Sequence, residues 1–226
     1  AIDRLVQQEA RKQENIESIT AQAARSLGED AKVEELEEDW VAHFFKQCDT
    51  VSDKEMQSLW SRLLSGEATM PGTFSKRTVD FVASMDKKDA KLFTELCQFC
   101  WFAGDFIPMV LDVNDEVFKK NGINFSSLKH LDAIGLISFE SVSGYLRRGF
   151  GKCAQIIYFD TLTSIEFNKD IDNEIQSGKV LLTQAGQELA LICGAQRNNE
   201  FYEYIIDKWY KQGFVLSTTL PIDPTG

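Results

Sequence analysis

The chain has 226 residues, of which 43% are hydrophobic, and its 35 acidic and 24 basic side chains give a formal net charge of −11. This length and apolar content suffice for one large domain or two small ones with a packed core. The negative charge argues against broad attraction to phosphate backbones, and no run approaches the roughly 18 apolar residues of a membrane span.

Residues 2 to 27 predict one long helix in which Leu5, Ile16 and Ile19 lie among many Gln, Glu and Arg residues. Its apolar stripe is narrow, so the helix needs a partner, either the bundle that follows or a coiled segment that joins copies of the chain. Because the chain begins with Ala1 and not with Met, we expect a segment to precede it, and a membrane contact only through that segment.

Residues 29–39 carry seven acidic side chains against Lys32 alone. A solvated helix start, favoured by the helix dipole, accounts for this acidic run. The alternative is that a basic partner docks on it.

Residues 39–85 predict three helices whose complementary apolar stripes make a small bundle. The stripes consist of Trp40, Phe44 and Cys48, then Met56, Leu59, Trp60, Leu63 and Leu64, and finally Val79, Val82 and Met85. Each set recurs at the spacing that places side chains on one face of a helix.

Short signals predict where these helices begin and end. Ser52 and Glu55 have the spacing of a capping box at the start of the second helix, and Gly66 is expected to end it. A Pro-Gly pair then predicts a turn, after which Thr73 or Ser75 is expected to cap the third helix.

The order of EDW, EMQ.LW.R.L.GE and PG.FS.RT in this region resembles a family of uncharacterised bacterial proteins, domain of unknown function 2806. The preceding RKQENIESI is similar to the entry to that domain, so the resemblance covers most of the chain. It implies bacterial origin, no established enzymatic activity, and relatives with longer N-terminal regions. It also marks four polar residues in an apolar region: Arg62, Glu67, Ser75 and Arg77. We expect them to form salt bridges and caps that tie the loop to the bundle, and a ligand pocket is the alternative.

Residues 86–104 predict a helix that is apolar nearly all round and closed by Gly104. The pattern then changes, since FIPMVLDV indicates a short buried strand. The predicted fold is mainly α, of the α+β class. A helical bundle at 1–104 is followed by a winged-helix-like α/β module with a C-terminal helix at 105–226.

Within the second module, Ser126 or Ser127 is expected to cap a helix that ends at Gly135. A strand at 136–142, the loop SGYLRRGFGK and a second strand, AQIIYFD, follow. This order, with LT..G.EL after it, is similar to winged-helix modules, in which a helix runs into a two-stranded wing. Winged helices bind DNA in many proteins and protein partners in as many others, so both functions stay open.

The sequence contains no recognisable catalytic constellation. Phosphate-binding glycine loops and the hydrolase elbow motif are absent, and neither His43 nor His130 has the spacing of a metal ligand pair. We therefore expect no enzymatic activity, no cofactor and no small-molecule substrate.

Five cysteines scattered through core positions do not make a disulfide framework and favour the reducing cytoplasm. Cys97 and Cys100 form a CxxC inside an apolar run, and only Cys153 and Cys193 are available to complete a zinc site. Buried apolar thiols, and no metal, are the expectation.

One loop combines three cations with two aromatic side chains: Tyr145, Arg147, Arg148, Phe150 and Lys152. Few acidic residues stand near it in the sequence, and at the tip of a wing these groups could bind phosphates and stack on bases. An ordinary solvated hairpin turn is the alternative.

These patterns predict a non-enzymatic protein-interaction or scaffold module of a bacterial cytoplasmic protein that self-associates as a homo-oligomer. The alternative is a nucleic-acid-binding regulator or defence effector that uses the basic loop. A hydrolase with an unrecognised site is the third possibility.

Overall fold

The computed structural model describes residues 2–219. They form two compact units: the first runs up to Ala90 and includes Leu191–Cys193, and the second contains Lys91–Ala190 and the residues from Gly194 onward. The first is helical and the second combines helices with antiparallel sheets, which confirms the predicted α+β class. The division into domains at residue 104 stays a prediction.

Helices make up the regular structure of the first unit. They are α1 (Ile2–Ser26), a 3₁₀ helix (Val33–Glu35), α2 (Glu38–Cys48), α3 (Lys54–Thr69) and α4 (Lys76–Ser84), and α5 (Lys87–Cys97) begins in this unit. Across residues 2–219, no helix combines the length and the apolar content that crossing a membrane requires.

The apolar stripes predicted for α2, α3 and α4 are buried, as expected. Phe44 lies at the centre of this core, because its ring centroid is 5.2 Å from that of Trp40 and 5.2 Å from that of Trp60. Ile19 and Ala23 of α1 are also buried. Burial of such side chains contributes roughly 1.5–3 kcal/mol each and holds the helices together.

The start of α3 differs from the prediction. Asp53, not Ser52, is the N-cap, and its carboxylate accepts hydrogen bonds from the amides of Glu55 (3.0 Å) and Met56 (3.1 Å). Glu55 makes an ion pair with Lys87 instead of closing a capping box. A carboxylate at this position has the advantage of a charge that complements the helix dipole.

The end of α3 also differs, because the helix continues through Gly66 to Thr69. A Cβ atom added at Gly66 would lie 2.8 Å from the ring of Phe74. Glycine therefore allows the loop after α3 to fold back closely onto the helix. This close approach offsets the cost of about 1 kcal/mol that glycine carries inside a helix.

The second unit contains short helices and nine strands within the described residues. The helices besides α5 are α6 (Glu116–Lys119), α7 (Phe125–Ala133), α8 (Gln184–Ala190) and α9 (Asn199–Lys211). The strands are β1 (Cys100–Phe102), β2 (Phe106–Pro108), β3 (Ile137–Phe139), β4 (Tyr145–Phe150), β5 (Cys153–Tyr158), β6 (Thr161–Glu166), β7 (Asn173–Gly178), β8 (Val180–Leu182) and β9 (Val215–Thr218).

The predicted helix closed by Gly104 is wrong beyond Cys97, where α5 ends. Strands β1 and β2 follow as a hairpin, and Gly104 lies in its turn with φ +88°. An apolar run without clear periodicity does not distinguish a buried strand from a buried helix.

Helix α7 ends as predicted, with Gly135 at φ +86°. Its N-cap is Asn124 and neither of the predicted serines. Ser127 is the other half of a capping box: its amide donates to Asn124 Oδ1 (3.1 Å), and its Oγ accepts from the Asn124 amide (2.9 Å).

Strands β3 to β8 form one long nested hairpin. The innermost pair is β5 with β6, the next is β4 with β7, and the outermost is β3 with β8. The predicted pairing of the strand at 136–142 with AQIIYFD is therefore wrong. The chain reverses at Phe159 and Asp160, without glycine, and Phe159 takes φ +52°. Gly149, which marked a loop in the sequence, lies at an irregularity within β4.

The innermost pair of this hairpin belongs to a five-stranded sheet of order β2-β1-β5-β6-β9. Helix α9 packs against it through Trp209, whose ring centroid lies 4.9 Å from that of Trp101. Trp101 also contacts Tyr158 of β5, with centroids 5.0 Å apart. The aromatic face of α9 is thus used within the second unit.

Substitutions test the assignment of Asp53 as the N-cap of α3. Asp53→Ala is expected to lower the thermal unfolding midpoint by about 3 °C, because two amides of the first turn lose their acceptor. Asp53→Asn keeps an acceptor and should lower the midpoint less, and Ser52→Ala should leave it unchanged. A larger effect of Ser52→Ala in calorimetry would contradict the assignment.

Candidate functional site

The marked carboxylate of Glu67 organises the loop between α3 and α4. Its side chain is only 3% exposed, and it accepts hydrogen bonds from the amides of Gly72 (2.6 Å) and Phe74 (2.8 Å). The indole Nε1 of Trp40 donates to the carbonyl of Phe74 at 2.7 Å. The loop is therefore fastened to the bundle from two sides.

The other marked residues do not join Glu67 in one cluster. Arg62 donates to the carbonyls of Ile192 (2.5 Å) and Cys193 (3.5 Å) and to Ser58 Oγ (2.9 Å). Its partners are neutral, so the expected salt bridge is not formed, and burial lowers the pKa of Arg62.

Ser75 and Arg77 lie at the start of α4. Ser75 caps this helix by accepting from the amide of Thr78 (3.2 Å), as expected for one of the two predicted caps. Arg77 is exposed. Glu67 and Ser75 thus flank the same loop, while Arg62 holds a different segment of the first unit.

A cavity of about 570 Å³ lies beside this loop, and Trp40, Glu67, Gly72 and Phe74 line it. This volume is in the range of small-molecule sites. Both oxygens of Glu67 already accept a backbone amide, and Ser75, which also lines the cavity, accepts from the Thr78 amide as the cap of α4. The arrangement is chemically that of a structural brace.

Four of the five residues of the basic segment lie on strand β4, while Lys152 lies in the short connection to β5. Acidic residues distant in the sequence pair with its cations. Arg147 Nη1 lies 2.6 Å from Asp105 Oδ1, and Arg148 Nε lies 3.2 Å from Glu174 Oε2. Lys152 Nζ lies 3.7 Å from Glu166 Oε1. The positive charge expected for a phosphate-binding surface is therefore largely compensated in place.

Of the two aromatic residues of this segment, one already stacks on a neighbouring ring and the other is half-buried. Phe150 stacks on Phe167 with ring centroids 5.6 Å apart. Tyr145 is half-buried, and burial, followed by the charge of Glu140, raises the pKa of its phenol. Nucleic-acid binding stays a prediction, and these contacts do not favour it.

The histidines and cysteines do not form a reactive site among the residues that the structure describes. His43 Nε2 lies 2.6 Å from Asp80 Oδ1 at the surface, and His130 is exposed on α7. Burial raises the pKa of Cys48 to about 12, which keeps this thiol protonated. Within residues 2–219, no group of three or more His, Cys, Asp or Glu side chains could hold a metal ion.

The sequence predicted that α1 needs a partner and named Leu5, but it did not identify the full exposed surface, which lies on the first ten residues of this helix. All of residues 2–11 are exposed, including Ile2 (76%), Leu5 (61%) and Val6 (63%). Lys12 and Asn15 are the first residues of α1 with contacts to the α2–α3 loop, through Asp49. The spacing of Ile2, Leu5 and Val6 was the signal that could have identified the surface.

The two hydrogen bonds that Glu67 accepts from the loop predict that a conservative substitution of this residue lowers the stability of the protein. Glu67→Gln turns an amide NH₂ toward one of the two backbone donors and is expected to lower the free energy of unfolding by about 1–3 kcal/mol. Denaturant titration measures the loss, and Glu38→Gln, at an exposed position, is the matched control. Equal stability of Glu67→Gln and wild type would exclude the brace.

The paired cations of β4 predict that the chain does not bind mixed-sequence DNA or RNA through this strand. We expect fluorescence anisotropy at low and high salt to give the same result for wild type and for the triple variant Arg147→Ala, Arg148→Ala, Lys152→Ala, because no binding depends on these three cations. Salt-sensitive binding that disappears in this variant would establish the alternative function.

Comparison with protein-family models matches residues 1–206 to the family described as "Protein of unknown function (DUF2806)". No curated protein and no solved structure matches the chain. The family match covers most of the chain and contains the whole motif region from Trp40 to Arg77, as the resemblance predicted. The chain therefore belongs to the DUF2806 family.

Proposed function

We propose that this chain is a non-enzymatic protein-contact module that self-associates through the first ten residues of α1. The observation that carries the proposal is the apolar patch of Ile2, Leu5 and Val6, which are 61–76% exposed on a helix that is otherwise polar there. We call these three residues the α1 patch.

The geometry of α1 supports contact with another helix or a complementary surface. Positions 2, 5 and 6 have the i, i+3, i+4 spacing of a helix face that packs on a partner. Ile16 and Ile19 continue this face, and there the partner is the bundle itself, since Ile19 is fully buried. The helix thus has a covered half and an uncovered half.

Clustered exposed apolar side chains favour association, because contact removes their surface from water. Two buried residues of this size contribute enough to bring a weak contact into the micromolar range when polar contacts add to it. In the second unit, the stripe of Phe201, Ile205 and Trp209 on α9 is buried and is not available for such a contact.

A cytoplasmic location is part of the proposal. All five cysteines are free, and four of them are buried. Free thiols persist in a reducing compartment, whereas extracellular chains of this size commonly use cysteine in disulfides.

Replacing the α1 patch tests the proposal. The double variant Leu5→Gln, Val6→Gln is expected to raise the dissociation constant of the self-associated form by about tenfold or more, since two apolar contacts are lost. Sedimentation velocity over a series of protein concentrations measures the change.

The matched control is Ala21→Gln, Ala24→Gln, which adds the same side chains at exposed positions elsewhere on α1. It should associate like wild type. A wild-type chain that stays monomeric at every concentration would refute the proposed function.

A further inference from the structure

A groove in the first unit is positively charged, although the chain as a whole carries a formal charge of −11. It has a volume of about 710 Å³ and lies between the exposed half of α1 and the segment from Asp49 to the start of α3. Four cations line it, Arg4, Arg11, Lys12 and Lys54, against the acids Glu14 and Asp49.

Two of these cations are available for a partner. Lys12 is paired with Asp49, and Lys54 donates to Gln57. Arg4 and Arg11 have no ion pair or side-chain hydrogen bond with any of the residues 2–219. They are seven residues apart, so both project from the same face of α1.

The floor of the groove is rigid because the amide of Gln57 is fully hydrogen-bonded. Gln57 is 1% exposed; its Nε2 donates to Asn15 Oδ1 (3.2 Å) and to the carbonyl of Val51 (2.8 Å). Its Oε1 accepts from Ser18 Oγ (2.9 Å) and Lys54 Nζ (3.1 Å). A partner therefore meets a preformed surface whose unpaired charged groups, within residues 2–219, are Arg4, Arg11 and Glu14.

The acidic run at residues 29–39 is a surface of opposite charge to the groove. Glu29, Asp30, Glu34 and Glu38 are exposed and have no ion-pair partner within the described part of the chain. Val33 lies among them with 54% of its surface exposed. The run thus presents free carboxylates, which complement the free arginines of the groove.

The acidic run of a molecule is remote from its own groove. The Lys32 amide donates to the carbonyl of Ala68 at the end of α3, whereas Lys54 in the groove is the first residue of α3. Fourteen residues of helix separate them, or about 21 Å at 1.5 Å per residue. An acidic run that occupies the groove must therefore belong to another molecule.

We infer that the groove binds the acidic run of a second copy of this chain, in a head-to-tail contact. Carboxylates of the run pair with Arg4 and Arg11, which lie on the face of α1 opposite the α1 patch. The inference rests on the proposed self-association and names its partner surface. Because the two surfaces differ, the contact is heterologous, and a pair of copies keeps one groove and one acidic run free for further copies.

The lining of the groove favours this occupant over a nucleotide. No aromatic side chain is present on which a base could stack. The net charge of −11 repels a polyanion at long range, but the Debye length of about 8–10 Å in physiological salt confines such repulsion, and complementary surfaces in contact still attract.

Charge reversal with a mixing step tests the inference. The groove variant is Arg4→Glu, Arg11→Glu, and the run variant is Glu29→Arg, Glu34→Arg. Each alone is expected to raise the dissociation constant about tenfold or more, since like charges then face each other. An equimolar mixture of the two variants is expected to associate as wild type does or better. In the mixture, the intact groove of the run variant receives the intact acidic run of the groove variant.

The control is Lys88→Glu, Lys91→Glu, which changes the net charge as the groove variant does at exposed positions elsewhere. Circular dichroism verifies that every variant is folded. If the groove variant associates like wild type, or if mixing restores nothing, the head-to-tail contact is refuted while self-association through the α1 patch stands. A wild-type monomer at all concentrations refutes both.

Discussion

A buried carboxylate with two backbone donors is the constraint on which the first unit depends. Glu67 lies at the end of α3, inside an apolar core, where an ionised group is stable only if it is hydrogen-bonded. The loop after α3 supplies its amides, and this requires the close approach of Phe74 that Gly66 permits. Trp40 completes the arrangement from α2. Four residues of the family motif, Trp40, Gly66, Glu67 and Phe74, are therefore joined by contacts that depend on one another, whereas Arg62 and Arg77 lie outside this set.

Most of the helical architecture was predictable because the apolar stripes encode it. Trp40, Phe44 and Trp60 were assigned to the core from spacing alone, and all are buried. Helix ends were less predictable, since Ser52 and Asp53 are adjacent candidates and only the geometry of the first turn decides between them. The nested hairpin was missed because its turn at Phe159 carries no glycine, while the glycines nearby mark irregularities within strands.

The candidate sites illustrate why surface function is harder to predict than burial. Arg147 appeared unpaired because its partner, Asp105, lies 42 residues away in the sequence. Arg4 and Arg11 appeared ordinary because a long polar helix normally carries such residues, yet neither has an ion pair or a side-chain hydrogen bond within residues 2–219. Charge compensation is a tertiary property, and the local sequence does not contain it.

The nesting of the hairpin has a consequence for the order in which the second unit folds. Closing the two-residue turn at Phe159–Asp160 brings β5 and β6 together with a minimal loop, whereas β3 and β8 enclose about 40 residues when they meet alone. Once the inner strands are paired, most of the entropic cost of closing the long loop between β3 and β8 has been met. The strands therefore pair in order from β5 and β6 outward. The register of β5 with β6 then determines the register of the outer pairs. A slip of one residue in this register would turn Ile156 and Tyr158 away from the core.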